Sequence, residues 1–499
     1  MTIAPHQILP RSGPEREELR KKGQFWTPEW VADAMVSYVL QDDCDEIFDP
    51  AVGTGAFFHA AKRVSEKLNV RVHLSGSEID LAALESGKKN GLSGSDLFGV
   101  EHRDFIRNPP RRSYSGIVAN PPYIRHHYVS RETKDLLQKA FWKISGIKLD
   151  GRAGLHVYFL IKSLRLLKPN GRLCFIVPAD VCEGVFADTL WGWIGKNYAL
   201  DAVTTFAPEA TPFPGVDTNP IILMLRNAPP QDKFKWCICN EWGTRSLYSW
   251  IRNGLKKRSY KGLKIRERTL IEGLSTGFSR PPTKKQKGIP LYKFACTMRG
   301  IATGENRFFF LTSAEIKKEN IPLEYFVRAI GRTRDVGEDT LTLDHLDRLD
   351  EIQRPTYLLS LSDESVGALP TSVRSYLEKG VNLGISSKSL IAKRHPWYRM
   401  EKRVVPPILF SYLGRKNARF IRNLAGAVPL TGFLCVYPRI NTPDFVDKLF
   451  LALSDARTIS NLHLVGKSYG GGSIKVEPRS LEKLQIPLSV IKDSRLHLP

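Results

Sequence analysis

Long apolar runs are missing from this chain of 499 residues. None approaches the roughly 20 residues of a membrane-spanning helix, and the opening stretch MTIAPHQILPRSGPEREELRKK lacks a signal peptide's apolar core. The expectation is a cytoplasmic protein without membrane contact. Cysteine is scarce: 7 residues, scattered, with Cys237 and Cys239 as the one close pair. C-x-C without further ligands is not zinc spacing, so reduced structural thiols and no metal site are expected. No repeat of solenoid period occurs, and no low-complexity tract apart from one basic region. Acidic residues are in deficit, Asp+Glu 51 against Lys+Arg 74, which leaves a net charge of +23. Such an excess favours a polyanionic partner without deciding between DNA, RNA and a membrane surface. The length suits two or three domains with ample core.

What is present concentrates in the run YSGIVANPPYIRHHYV. Gly116 to Ala119 reads as a buried strand that Pro121 and Pro122 stop, so Asn120 stands at a strand's exit. Neither proline donates a backbone hydrogen bond. Their carbonyls and the Asn120 amide oxygen are therefore acceptors in a stiff, extended loop. Two fixed acceptors suit one exocyclic amine, such as adenine N6 or cytosine N4. Hydrogen bonds from both N–H groups localise a lone pair otherwise delocalised into the ring, ready to attack an electrophilic methyl group. Tyr123 offers a face for a planar base. Alone, the tetrapeptide is as easily an ordinary strand-ending turn.

Upstream residues change the balance. Ile47 to Phe58, IFDPAVGTGAFF, reads as a short strand, a glycine turn and the start of a helix through HAAKRVSEKL. Gly53 and Gly55 let the backbone approach a ligand closely. A second strand, Val70 to Ser77, delivers Glu78 at about the distance where a dinucleotide fold places its ribose-binding acid. The carboxylate suits both ribose hydroxyls, although a solvated turn residue would look the same. A nicotinamide site would want G-x-G-x-x-G to cradle pyrophosphate; here the third glycine is missing and Asp49 precedes the turn. An acidic residue repels phosphate and welcomes an ammonium, which favours S-adenosylmethionine over NAD. Asp104 and Phe105, in HRDFI, suit an adenine ring's amino group and face, or equally a helix cap followed by a core phenylalanine.

With these residues assembled, Gly23 to Arg226 resembles the gamma-class, TaqI-like DNA adenine N6-methyltransferases, with motifs in that family's order. GQFWTPEWVADAMV is similar to its N-terminal T-P element, DPAVGTGAF to its first cofactor loop, GSEID to its second, DFI to its third, and NPPY to its catalytic motif. GRAGLHVYFLIKSLRLLKPNGRLCFIVPADV resembles the helix and strand that follow, with His156 where relatives often carry tyrosine. FPGVDTNPIILML resembles the late hairpin whose phenylalanine, Phe213 by position, stacks on the extruded base. Further on, RGIATGENRFFFL is close to the R-G-x-x-T-G-x-N-x-x-F element of these enzymes' target-recognition domain, and KRHPWYRMEKRVV resembles its R-x-x-W-Y segment.

The resemblance implies an α/β architecture: a Rossmann-like class I S-adenosylmethionine-dependent methyltransferase domain over 1–232, a basic connecting segment over 233–290, and a mixed α/β target-recognition domain over 291–499. It implies catalysis by Asn120, Pro121, Pro122 and Tyr123, with base stacking on Tyr123 and Phe213. Cofactor contacts fall to Thr27, Asp49, Pro50, Ala51, Gly53, Gly55, Glu78, Ile79, Asp104, Phe105 and Asn120. DNA contacts fall to Arg299, Thr303, Asn306, Arg394, Arg399 and Arg415. Direct displacement at a sulfonium needs no metal, and no catalytic histidine is expected. Double-stranded DNA in a bacterial or archaeal cell is the implied partner, the chain acting as a monomer. A separate cognate restriction endonuclease is a further partner the resemblance allows, because too few residues precede GQFWTP for a nuclease domain. Cytosine-N4 methylation, where serine more often stands at the asparagine position, and RNA adenine methylation are the rival activities.

Overall fold

The computed structural model describes residues 23, 25–41, 44–216, 219–256, 258–281, 288–362, 364–411, 418–469 and 473–499. The chain divides into two compact units, 1–283 with 468–472, and 284–467 with 473–499.

The first unit is built on one sheet. Its strands are β1 (Glu46–Asp49), β2 (His73–Glu78), β3 (Val100–His102), β4 (Tyr114–Ala119), β5 (Leu167–Pro178), β6 (Ala199–Phe206), β7 (Pro220–Arg226), β8 (Lys233–Cys239) and β9 (Leu263–Thr269). They lie in the order β3-β2-β1-β4-β5-β7-β6-β8-β9. The first five are mutually parallel, and β7 runs antiparallel between β5 and β6. Parallel strands need covered faces, and period-two alternation supplies two apolar surfaces. Ile117, Leu173 and Phe175 enter one core with Val157 and Leu160 of α5 (Leu155–Arg165); the intervening Val118, Cys174 and Ile176 enter the other. That second core includes Met35 and Val39 of α1 (Glu29–Val39) and Trp250 of a helix over Thr244–Arg252. Between β1 and β4 the winding reverses. A doubly wound sheet binds ligands beyond the carboxyl ends of its strands at such a point. Asp49 ends β1, Glu78 ends β2 and Asn120 directly follows β4.

Residues 233–290, expected from their charge to be a connecting segment, are corrected by the structure. Here β8 and β9 complete the sheet, β8 pairing parallel with β6 and β9 antiparallel with β8. Charge content concealed a strand's alternation: Ile265 is buried while Lys264 and Arg266 face outward, and Glu267 pairs with Lys235 at 2.7 Å and Lys233 at 3.1 Å. Arg268 is the exception. Its guanidinium is buried and donates to the carbonyls of Gly277 (3.1 Å) and Arg280 (2.5 Å) and to Thr276 Oγ1 (2.6 Å), holding the return segment in place.

The second unit is mixed α/β. A five-stranded sheet orders Ala295–Arg299, Phe433–Pro438, Ile408–Ser411, Arg419–Asn423 and Thr340–Leu341. A four-stranded sheet orders Phe310–Leu311, Tyr357–Leu359, Phe326–Ile330 and Val428–Pro429. The R-G-x-x-T-G element joins them as architecture. A Cβ at Gly300 would lie 2.2 Å from the Leu430 carbonyl oxygen and 2.6 Å from that of Pro429. Gly304 has φ +84°, and Ile301 donates its N–H to the Pro429 carbonyl at 2.9 Å. Because the clashing atoms are backbone, Gly300→Ala is expected to destabilise this unit by about 2 kcal/mol or more, a drop in urea midpoint checking it.

Candidate active site

The site grows from three strand ends. At the end of β1, Asp49 is fully buried; its Oδ1 accepts from the Ala51 N–H at 2.9 Å, and its Oδ2 has no partner. Burial pushes its carboxyl up to about 8, against the pull of the Ala51 hydrogen bond and with help from the nearby Glu78 charge. Pro50 is buried beneath the following turn. That turn needs its glycines. Gly53 and Gly55 sit at φ +57° and +82°, and a Cβ at Gly55 would lie 2.2 Å from Leu92 Cδ1. Beside Gly53 a Cβ would meet only the Ala51 carbonyl oxygen, at 3.9 Å, so its backbone is open to a ligand.

At the end of β2, Glu78 ties two loops together. Oε2 accepts from the Gly53 N–H at 2.7 Å, and Oε1 from the N–H groups of Ile79 (2.9 Å) and Asp80 (2.8 Å). A carboxylate has about four acceptor positions, so a sugar diol meets about one open place here. Contact with both hydroxyls requires the Gly53 bond to be given up, which narrows the sequence expectation. Ile79 is exposed, and the neighbouring Ser77 hydroxyl is buried without a partner. Asp104 takes the capping role: its Oδ1 accepts from Ile106 N at 2.9 Å and Arg107 N at 3.1 Å. Phe105 is buried and stacks on Phe159 with ring centroids 5.2 Å apart.

At the end of β4, Asn120 is held in one orientation. Its Nδ2 donates to the Phe25 carbonyl (2.8 Å) and Thr27 Oγ1 (3.1 Å), while its buried Oδ1 has no partner. The two donor contacts decide the amide's rotamer, so the oxygen is the atom presented. Tyr123 is anchored at both ends, its N–H to the Gly23 carbonyl at 2.9 Å and its hydroxyl to the Ile176 carbonyl at 3.2 Å. Gly23, Phe25 and Thr27 thus all bond to the loop that follows β4. Thr27, assigned to the cofactor by resemblance, is here a partner of Asn120.

Tyr123 and Phe213, expected to stack on the base, lie against each other in this structure. Their rings meet edge to face, centroids 6.1 Å apart and planes at 80°, whereas a base between parallel rings needs roughly 7 Å, twice the carbon contact distance. Phe25 lies 5.4 Å from Tyr123 and 5.9 Å from Phe213, so three apolar rings close on one another. Phe25 was missed in the sequence. Its aromatic character, two residues before Thr27, was the available signal.

In the second unit the predicted DNA contacts separate. Thr303 is 3% exposed and donates its hydroxyl to Asn306 Oδ1 at 2.5 Å. The half-buried Arg394 donates to the Ala302 carbonyl at 2.6 Å and lies over the Phe309 ring. Thr303, Arg394 and the Asn306 side-chain oxygen thus make bonds within their own loop region. Arg299, paired with Glu477, and Arg399 are exposed. Arg415 lies outside the described residues.

Residues 15–194 match the family N-6 DNA Methylase, and residues 279–498 match the C-terminal domain of Type II methyltransferase M.Eco57I. Residues 15–194 thus carry an N-6 DNA Methylase domain, and residues 279–498 a domain similar to the C-terminal one of M.Eco57I. It is 25% identical over 478 residues to Type II methyltransferase M.AccI of Acinetobacter calcoaceticus, covering 94% of this chain and 85% of that protein. Type II methyltransferase M.XamI of Xanthomonas campestris pv. amaranthicola is 24% identical, with the same coverage, 94% and 85%. Among solved structures, the Type IIL restriction-modification enzyme MmeI in complex with DNA shares the fold, with a TM-score of 0.59 at 13% identity. That match covers 94% of this chain and 64% of the larger one. S-adenosylmethionine fits the residues present. Asp49 Oδ2 and Ser77 Oγ are buried without partners, the Gly53 backbone is open, and no third glycine prepares the turn for phosphate.

Proposed function

We propose that this chain methylates adenine N6 at a specific site in duplex DNA, acting on a base swung out of the helix. The carrying observation is Asn120: an amide fixed by Phe25 and Thr27, whose buried oxygen faces no protein donor. Asn120 Oδ1 and the Pro121 carbonyl accept the two N6–H hydrogens and turn the nitrogen lone pair out of the ring plane. Pro122 stiffens the loop, and Tyr123 receives the base on its face once Phe25 yields. Extrusion costs a few kcal/mol and stacking returns about 1 to 3 per base, so the aromatic residues offset most of the cost. When bound, S-adenosylmethionine supplies a sulfonium-activated methyl group. Asp49 then pairs with the ammonium, Glu78 holds a ribose hydroxyl, and Ile79, Asp104 and Phe105 border the adenine.

Arg299 and Arg399 remain surface candidates for DNA contact, and we assign target recognition to the second unit. The Type II methyltransferase names of the two relatives support a modification role; a separate endonuclease and a monomeric chain are part of the same proposal. Incubation with labelled S-adenosylmethionine and unmodified DNA, then nucleoside digestion, is expected to yield N6-methyladenine; sequencing of native modifications reports the site. N4-methylcytosine, or label appearing in RNA alone, would overturn the reading.

A further inference from the structure

His156 opens helix α5 and is 3% exposed beside the catalytic loop. Its Nε2 lies 3.0 Å from Asp180 Oδ1, just beyond the end of β5, and its ring centroid lies 6.2 Å from that of Tyr123 with planes at 69°. The backbone locks this arrangement. Leu155 donates its N–H to the carbonyl of Ile124 at 2.9 Å, tethering α5 to the residue after Tyr123. Gly154 leaves the space in which the imidazole lies: a Cβ there would be 2.6 Å from His156 Cε1 and 3.0 Å from the Ile124 carbonyl oxygen.

Packing alone does not account for a histidine here. A carboxylate is an acceptor, so the pairing places an imidazole hydrogen on Nε2. Nδ1 is buried and has no partner. Burying such an atom without a partner carries a penalty that an apolar ring of similar size would avoid. What an apolar ring could not provide is the bond to Asp180, which fixes the imidazole plane against Tyr123. Asp180 is half-exposed, so the bond reaches from the surface to the base platform.

We propose that His156, held by Asp180, is a positioning residue that sets the plane of Tyr123 for the extruded base. Phe25 and Phe213 also lie against this ring, at 5.4 and 6.1 Å between centroids, and Phe25 must shift when a base enters. His156 does not. With the hydroxyl bond to Ile176 it keeps the platform in place during that exchange.

The inference rests on the proposed base extrusion, and its test separates the two. With 2-aminopurine at the target position, the wild type is expected to methylate an adenine duplex and to change the probe's emission on binding; failure of both would sink the extrusion reading itself. His156→Leu is expected to lower kcat at saturating DNA by about tenfold, leave S-adenosylmethionine affinity within about twofold, and brighten the probe because the base stacks poorly. His156→Gln places a donor amide near the position of Nε2 and is expected to recover most of the rate. Asp180→Ala, at a half-exposed side chain, is expected to reproduce the leucine variant without loss of folding. Wild-type kcat and emission in His156→Leu, no recovery in His156→Gln, or an unaffected Asp180→Ala, each with an active wild type, would overturn the positioning role.

Discussion

Asn120→Ala is expected to lower the rate of methyl transfer by about a thousandfold while S-adenosylmethionine affinity changes by less than about tenfold. The large effect follows from what Oδ1 does. An exocyclic amine is a poor nucleophile until its hydrogens are held, and removal of one preorganised hydrogen-bonding group from a closed site typically costs about 100- to 1000-fold in rate. The smaller effect follows from what Nδ2 does. It binds the Phe25 carbonyl and Thr27 Oγ1, so alanine frees the segment that borders the site. Asn120→Asp separates the two roles. It keeps an acceptor but replaces the donor with an oxygen facing the Phe25 carbonyl, so the segment should be repelled and the rate should stay far below wild type. Single-turnover transfer and calorimetric cofactor titration give both numbers. Full activity in the alanine variant would remove Asn120 from the chemistry.

The elements legible in the sequence were those whose signals are local. Two prolines stop β4, so Asn120 at its exit followed from covalent structure, and the Gly53 and Gly55 turn followed from backbone freedom at φ above zero. Asp49 was legible for a related reason: an acid before a glycine turn that lacks a third glycine argues against phosphate. What failed depended on partners distant in sequence. Charge in Lys256 to Lys287 outweighed the strand character of β9, which pairs with β8 and whose Arg268 is buried against residues 276–280. Making hydrogen bonds inside a loop and offering them to DNA demand the same residue types, so the sequence alone did not reveal the internal bonds of Thr303 and Arg394. The three-ring cluster of Phe25, Tyr123 and Phe213 joins residues far apart in the chain, the first of them held at the site by bonds of Asn120 to Phe25 and Thr27 and of Tyr123 to Gly23.

Asp49→Asn is expected to weaken S-adenosylmethionine binding by more than about tenfold and to abolish the pH dependence that Asp49 gives the protein. Burial holds the carboxyl at about 8, above its ordinary range, so at neutral pH the ligand-free protein keeps a proton that the unfolded chain has released. The unfolded state binds fewer protons in this window. Stability from Asp49 is therefore full below the ordinary carboxylate range and is lost as pH rises toward about 8. An ammonium beside Oδ2 reverses the preference, because it favours the ionised form. Each binding event below about pH 8 then releases a proton, and affinity should rise with pH between about 6 and 7.5, by at most about tenfold per pH unit. The asparagine variant has no proton to lose. Its ligand-free melting temperature should fall less than that of the wild type as pH rises, and its weak binding should be flat across the same range. Melting curves with and without S-adenosylmethionine at both pH values check each part; wild-type affinity with an unchanged slope in Asp49→Asn would place the ammonium elsewhere.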